Sequence, residues 1–136
     1  MVGRQIPAII ALPVLVFVTL FSITFSTTVY AAAQIADVED SAIPTGLNDD
    51  QIVKTIQRGG TVRGWVVKKI KAGHLQATIF VRSHMAKVDI NYTANSYSIR
   101  YNDSENLGFK NGKIHRNYNK WVRNLNMDIQ REFAML

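Results

Sequence analysis

Between Gly64 and Tyr101 apolar and polar residues alternate in four short runs, and the connections between the runs are too short for anything but hairpins. The runs are Gly64–Lys71, His74–Arg82, Ala86–Tyr92 and Ser96–Tyr101, separated by Ala72-Gly73, a turn near Ser83–Met85, and Thr93-Ala94-Asn95. A parallel pairing needs a crossover of a dozen residues or more, so this stretch predicts a four-stranded antiparallel meander. Leu75, Ala77, Ile79 and Val81 share one face with Val88, Ile90 and Tyr92 and with Tyr97, Ile99 and Tyr101. A tight turn at Ala72-Gly73 pairs Ile70 with Leu75, which adds Val66 and Ile70 to that core face. Gln76, Thr78, Arg82, Lys87, Asp89, Asn91, Ser96, Ser98 and Arg100 then form a wet face.

A helix is expected on either side. Asn48 is a good N-cap, Gln51 completes a capping box, and Ile52, Val53 and Ile56 make one apolar stripe before Gly59-Gly60 ends a helix of about ten residues. After a polar loop, Asn102–Lys113, a longer helix is expected from Arg116 to Phe133. Tyr118, Trp121, Val122, Leu125 and Ile129 recur there at helical spacing, while Asn119, Lys120, Arg123, Asn126 and Gln130 are assigned to solvent. The expected fold is α+β: a two-layer sandwich of order α-β-β-β-β-α, with both helices on one face of the sheet.

Upstream, Ile6–Phe25 is apolar, follows Arg4 and carries no charge, and Ala31-Ala32-Ala33 follows it. Residues 1–33 read as a secretory leader cut after Ala33, or alternatively after Ala31. An uncleaved inner-membrane anchor through residues 6–25 is the other reading. Acidic, Pro-containing residues 34–46 read as a flexible tether, which leaves 47–136 as a single domain. The chain has no cysteine, which excludes N-terminal lipidation, disulfides and thiolate chemistry. Its 16 Lys and Arg against 10 Asp and Glu, a formal +6, favour anionic surfaces.

Two surfaces stand out. With Ile70 opposite Leu75, Trp65 and Phe80 face outward among Arg82, Lys87 and Arg100, a grouping suited to stacking on a sugar or covering an apolar peptide. The second gathers Lys110, Lys113, His115, Arg116, Asn117 and Lys120 at the entry to the terminal helix, where backbone N–H groups and the positive dipole end favour an anion. His74, His84 and His115 share no ligand spacing, so neither a metal nor another cofactor is expected. No nucleophile elbow, carboxylate pair or phosphate loop occurs, so a catalytic residue is not assigned.

The stretch SHMAKVDINYTANSYSIRYNDSENL, followed by NGKIHRNYNKWV, resembles a family of small exported proteins and lipoproteins of Gram-negative bacteria. The resemblance spans about residues 43–133 and includes Arg63-Gly64-Trp65. It implies a periplasmic or envelope location and supplies no catalytic residue. Many proteins of that kind carry a lipobox cysteine, where this chain has Ala31-Ala32-Ala33. The expected role is therefore a non-enzymatic envelope protein that binds an anionic or glycan ligand, or a partner protein, and not nucleic acid. A membrane would be met only through an uncleaved N-terminal segment. The alternatives are a structural subunit of an envelope assembly, or an enzyme with His84, Asp89, Arg100 and His115 brought together by folding.

Overall fold

The computed structural model describes residues 2–5, 7–10, 22–24 and 31–136. The leader or anchor expected over residues 6–25 falls mostly outside the described residues. Among those described, no helix is long and apolar enough to cross a membrane.

The fold is α+β, with two helices and mostly antiparallel strands. The elements in order are β1 (Ala32–Gln34), β2 (Val38–Ala42), α1 (Asp49–Thr61), β3 (Val66–Lys71), β4 (His74–Val81), β5 (His84–Tyr92), β6 (Ser96–Glu105), β7 (Lys113–His115) and α2 (Arg116–Ala134). The meander β3 to β6 is present, but the sheet has five strands in the order β2-β6-β5-β4-β3, and β1 pairs separately with β7. The core joins Ile52, Val53 and Ile56 of α1 and Tyr118, Val122, Leu125 and Ile129 of α2 to Leu75, Ala77, Val88, Ile90, Tyr97 and Ile99 of the sheet. These are the faces that the two periodicities select. The capping box at Asn48 and Gln51 forms in both directions.

The stretch expected to be a flexible tether is instead strapped to the domain. β1 pairs with β7, β2 pairs with β6, and two of the acidic side chains that suggested a solvated linker, Asp37 and Glu39, have partners far along the chain. Arg100 donates to both carboxylate oxygens of Glu39 at 2.9 Å, and the Tyr101 N–H donates to Asp37. The α2 amides assigned to solvent complete the seam. Asn119 accepts from Ala36 N–H and donates to the Gln34 carbonyl. Asn126 accepts from the Ser41 and Tyr97 hydroxyls, and Gln130 donates to the Ala42 carbonyl and the Tyr97 hydroxyl. Seven- and four-residue spacings set these three amides along one side of the helix.

A second correction concerns β3. Lys69 lies opposite Leu75 and Lys71 opposite His74, with Ile70 bulged between them. The extra residue moves the strand by one position, and a one-residue slip exchanges its faces. Trp65 is therefore buried (3% exposed) beneath α1, while Val66 and Ile70 point to solvent. Gly59 and Gly60 do not stop α1 but lie within it, because α2 and β3 approach too closely there for a side chain.

The start of α1 is tied to the sheet through Asp49, which accepts from Lys69 Nζ at 2.5 Å and from the Tyr92 hydroxyl at 2.6 Å. The bond from Lys69 and then that from Tyr92 hold the Asp49 carboxyl below its ordinary value. A carboxyl depressed by folding adds stability above its unfolded pKa, near 3.8, and that contribution disappears as pH falls through the lower folded value. Asp49→Asn should accordingly flatten the acid limb of a stability–pH curve while shifting the curve above pH 5 to a constant lower level. Urea midpoints from pH 2 to 7 would check this.

Candidate functional site

Three turns and one short strand meet at the N-terminal end of α2. The β4–β5 turn supplies Arg82, Ser83 and His84, the chain after β6 supplies Asn106, Leu107 and Gly108, and the β7–α2 junction supplies His115 and Asn117. Ala32 of β1 and Trp121 of α2 close the sides of a cleft of about 650 Å³. The turns are tied to one another. Asn106 donates from its side chain to the Ser83 carbonyl at 2.7 Å, and the His115 N–H donates to the Leu107 carbonyl at 2.8 Å.

Arg82 (φ 56°) and Asn106 (φ 55°) both hold left-handed backbone conformations. For arginine this costs about 1–2 kcal/mol, which a glycine would avoid. Arg82 has no ion-pair partner among the described residues. The His84 Nδ1 lies 2.7 Å from the Asn106 carbonyl oxygen. A carbonyl can only accept, so Nδ1 carries the proton and the neutral ring presents the Nε2 lone pair. The His84 ring leans on Trp121, with centroids 6.5 Å apart and planes at 52°. His115 is the N-cap of α2: its Nδ1 accepts from the Asn117 N–H at 3.2 Å.

Trp121 and Asn117 also line a second compartment of about 380 Å³, with Arg63, Trp65, Ile79, Val81, Lys120 and Asn124. Trp121 is the partition between two basic hollows. Among the described lining residues of both compartments there is no Asp or Glu. The acidic side chain nearest in role is Asp128, buried at 1% exposure, which accepts from Arg63 Nε at 2.7 Å and from Arg131 at 3.3 Å.

The eight residues singled out from sequence are divided by the fold. Arg82, His115 and Asn117 meet in the cleft, and Trp65 forms part of the second compartment from its buried position. Trp65 does not join Phe80 in an outward pair, as the bulge at Ile70 explains. Phe80 is outward, 73% exposed, beside Val66, Lys68 and Lys87 on the far side of the sheet. Arg100 is engaged by Glu39, while Lys113 pairs with Gln34 along β7 and, like Arg116, lines neither compartment. The N-cap of α2 is His115, and Asn117 lies inside the first turn. Two wall residues were missed, Asn106 and Trp121, the latter assigned to the core, and His84 was named only in the enzyme alternative. The signal for Trp121 was its size at a stripe position next to cationic neighbours, which a core residue shares.

The enzyme set separates. His84 and His115 line the cleft, but Asp89 lies on the outer sheet face, where it accepts from Asn102 at 2.8 Å and meets His74 Nε2 at 2.7 Å. Burial raises the Asp89 carboxyl, and the bonds to Asn102 and His74 outweigh it, leaving the carboxyl below its ordinary value. Among the described residues no group of three or more His, Asp or Glu could hold a metal ion. A third hollow, of about 470 Å³, is lined only by residues 54–62 and gathers nothing from other elements. Comparison with protein-family models, curated proteins and solved structures finds no match to the chain.

Proposed function

We propose that the protein is an envelope-located binding module for an anionic sugar, with the Arg82–His84–His115–Trp121 cleft as its site. The observation that carries this reading is a basic cleft with an aromatic wall and, among the described residues, no lining carboxylate, in which an arginine is held in a left-handed conformation. Arg82, the His115 ring and the Asn117 amide suit a carboxylate or phosphate, the Nε2 lone pair of His84 suits a sugar hydroxyl, and the face of Trp121 suits the apolar side of a sugar ring. The leader-like N-terminal sequence and the resemblance to small exported Gram-negative proteins support that location. With α1 and α2 as one layer over the sheet, the cleft opens at the end of a two-layer sandwich. The alternative is a subunit that adds its sheet edge to a larger assembly, and both edges argue against it. β2 is short and bulged at Asp40 (φ 50°), and β3 is bulged and carries Lys68, Lys69 and Lys71.

The test is an NMR titration of the isotope-labelled protein with N-acetylmuramic acid, inorganic phosphate and anionic lipid vesicles at two salt concentrations. Saturable shifts at His84, Asn117 and the Trp121 indole are expected with the sugar acid. Arg82→Gly should weaken that binding about tenfold, by loss of one charge-assisted contact. It should leave stability equal to the parent or higher by up to about 1 kcal/mol, because glycine relieves the left-handed strain. Trp121→Ala should weaken the sugar acid more than phosphate. Shifts spread along the lysines of β3 with none in the cleft would reject the site.

A further inference from the structure

We propose that leader removal breaks the bond between Ala31 and Ala32, and that the α-ammonium group so formed on Ala32 is a ligand-binding group of the cleft. The inference rests on the cleft reading above. Small residues allow two cuts, after Ala31 or after Ala33. Only the first leaves a chain able to form the described fold whole. β1 consists of Ala32, Ala33 and Gln34, paired with His115, Ile114 and Lys113. A cut after Ala33 removes two of these three residues and strips the partner from Ile114, which is fully buried.

The first cut also puts a new charge where the cleft can use it. Ala32 lies opposite His115 in the β1–β7 pair and lines the cleft with Arg82, His84 and Asn117. Hydrolysis by a signal peptidase adds water across the Ala31–Ala32 peptide bond. The hydroxyl goes to the Ala31 carbonyl carbon, which leaves with the leader, and the freed amine on Ala32 takes a proton. An α-amino group has a pKa of about 7.7–8, so it is mostly charged at neutral pH. A peptide N–H at the rim, a single weak donor, becomes a cation with up to three donors in a cleft that Arg82 also lines. Among the described residues no carboxylate lines the cleft to neutralise it, so its counter-charge is left for a ligand to supply.

The experiment expresses the full chain in a Gram-negative host and purifies it from the envelope fraction. Intact mass and N-terminal sequencing should give Ala32 as the first residue. A start at Gln34, or an uncut chain, overturns the proposal. The purified protein is then acetylated selectively at its α-amine near neutral pH, where lysine stays protonated, and titrated with N-acetylmuramic acid and with inorganic phosphate. Acetylation should weaken binding of the preferred anion about fivefold, the scale of one partly exposed charge-assisted contact. The two titrations distinguish a sugar carboxylate from free phosphate as that anion. If Arg82→Gly weakens binding and acetylation does not, the cleft reading stands and the role of Ala32 is rejected. If untreated protein binds neither probe, the cleft reading itself fails.

Discussion

Gly59→Ala is expected to destabilise the protein by about 2–4 kcal/mol, although alanine is the better helix former. Within a helix the exchange by itself is worth about 1 kcal/mol in favour of alanine. Against that, a Cβ on residue 59 would sit 2.6 Å from the Ile129 Cα and 2.8 Å from the Ile129 N. Those are backbone atoms of α2, and no rotamer change moves them. The two helices must separate, which opens the contacts that Ile56 and Leu125 make in the fully buried core. For a domain of this size the expected loss corresponds to a melting temperature lower by about 10–20 °C. Gly60→Ala is the control. Its Cβ would meet a Val67 side-chain methyl at 2.5 Å and the Trp65 Cβ at 3.4 Å, and the edge strand β3 can give way more easily than a central helix. Thermal and urea unfolding should rank Gly59→Ala well below Gly60→Ala. Equal losses would mean that the helix contact is not what excludes a side chain at residue 59.

The two glycines also show where sequence reasoning stops. A glycine pair after an apolar stripe reads the same whether it ends a helix or lets another helix come close, because the deciding atoms belong to Ile129, some 70 residues away. Alternation served well in β4, β5 and β6, where Leu75, Val88, Ile90 and Ile99 are all fully buried. It failed in β3, because Trp65-Val66-Val67 is apolar throughout and only the bulge at Ile70 selects the face. The N-terminal strap was illegible for a different reason. Glu39 and Asp37 look like solvated charges until Arg100 and the Tyr101 N–H are beside them. The cleft was half legible. His115 and Asn117 declared themselves at a helix entry, but Arg82, His84 and Asn106 sit in turns that only the closed sheet brings alongside. A tryptophan on a helical stripe is a core residue or a wall, and the sequence pattern is identical for both.

Asp128→Asn is expected to cost about 2–3 kcal/mol while strengthening the binding of anions. Asp128 is a fully buried carboxylate in the middle of α2, held by Arg63 Nε at 2.7 Å and by Arg131 at 3.3 Å. Both guanidinium groups are about half exposed, so after the substitution they return to water at little cost. The buried amide left behind keeps one oxygen acceptor, but its NH2 group has no acceptor in place of the second charged contact, and the loss falls on that buried donor. Arg63 precedes β3 and lines the second compartment, so the bond clamps the α1–β3 turn to α2. Arg63→Met would leave the carboxylate with its longer contact alone and should cost about as much as Asp128→Asn, the exposure of Arg63 limiting the effect. The double change Arg63→Met with Asp128→Leu replaces both partners by apolar groups and should recover most of the stability. Binding separates a role in folding from one in the site. Asp128→Asn removes the charge that offsets Arg63, so N-acetylmuramic acid should bind more tightly even as the urea midpoint falls. If affinity and stability fall together, Asp128 maintains the shape of the cleft and not merely the turn. Opposite movements would instead establish Asp128 as a structural anchor whose charge restrains the basic compartment beside Trp121.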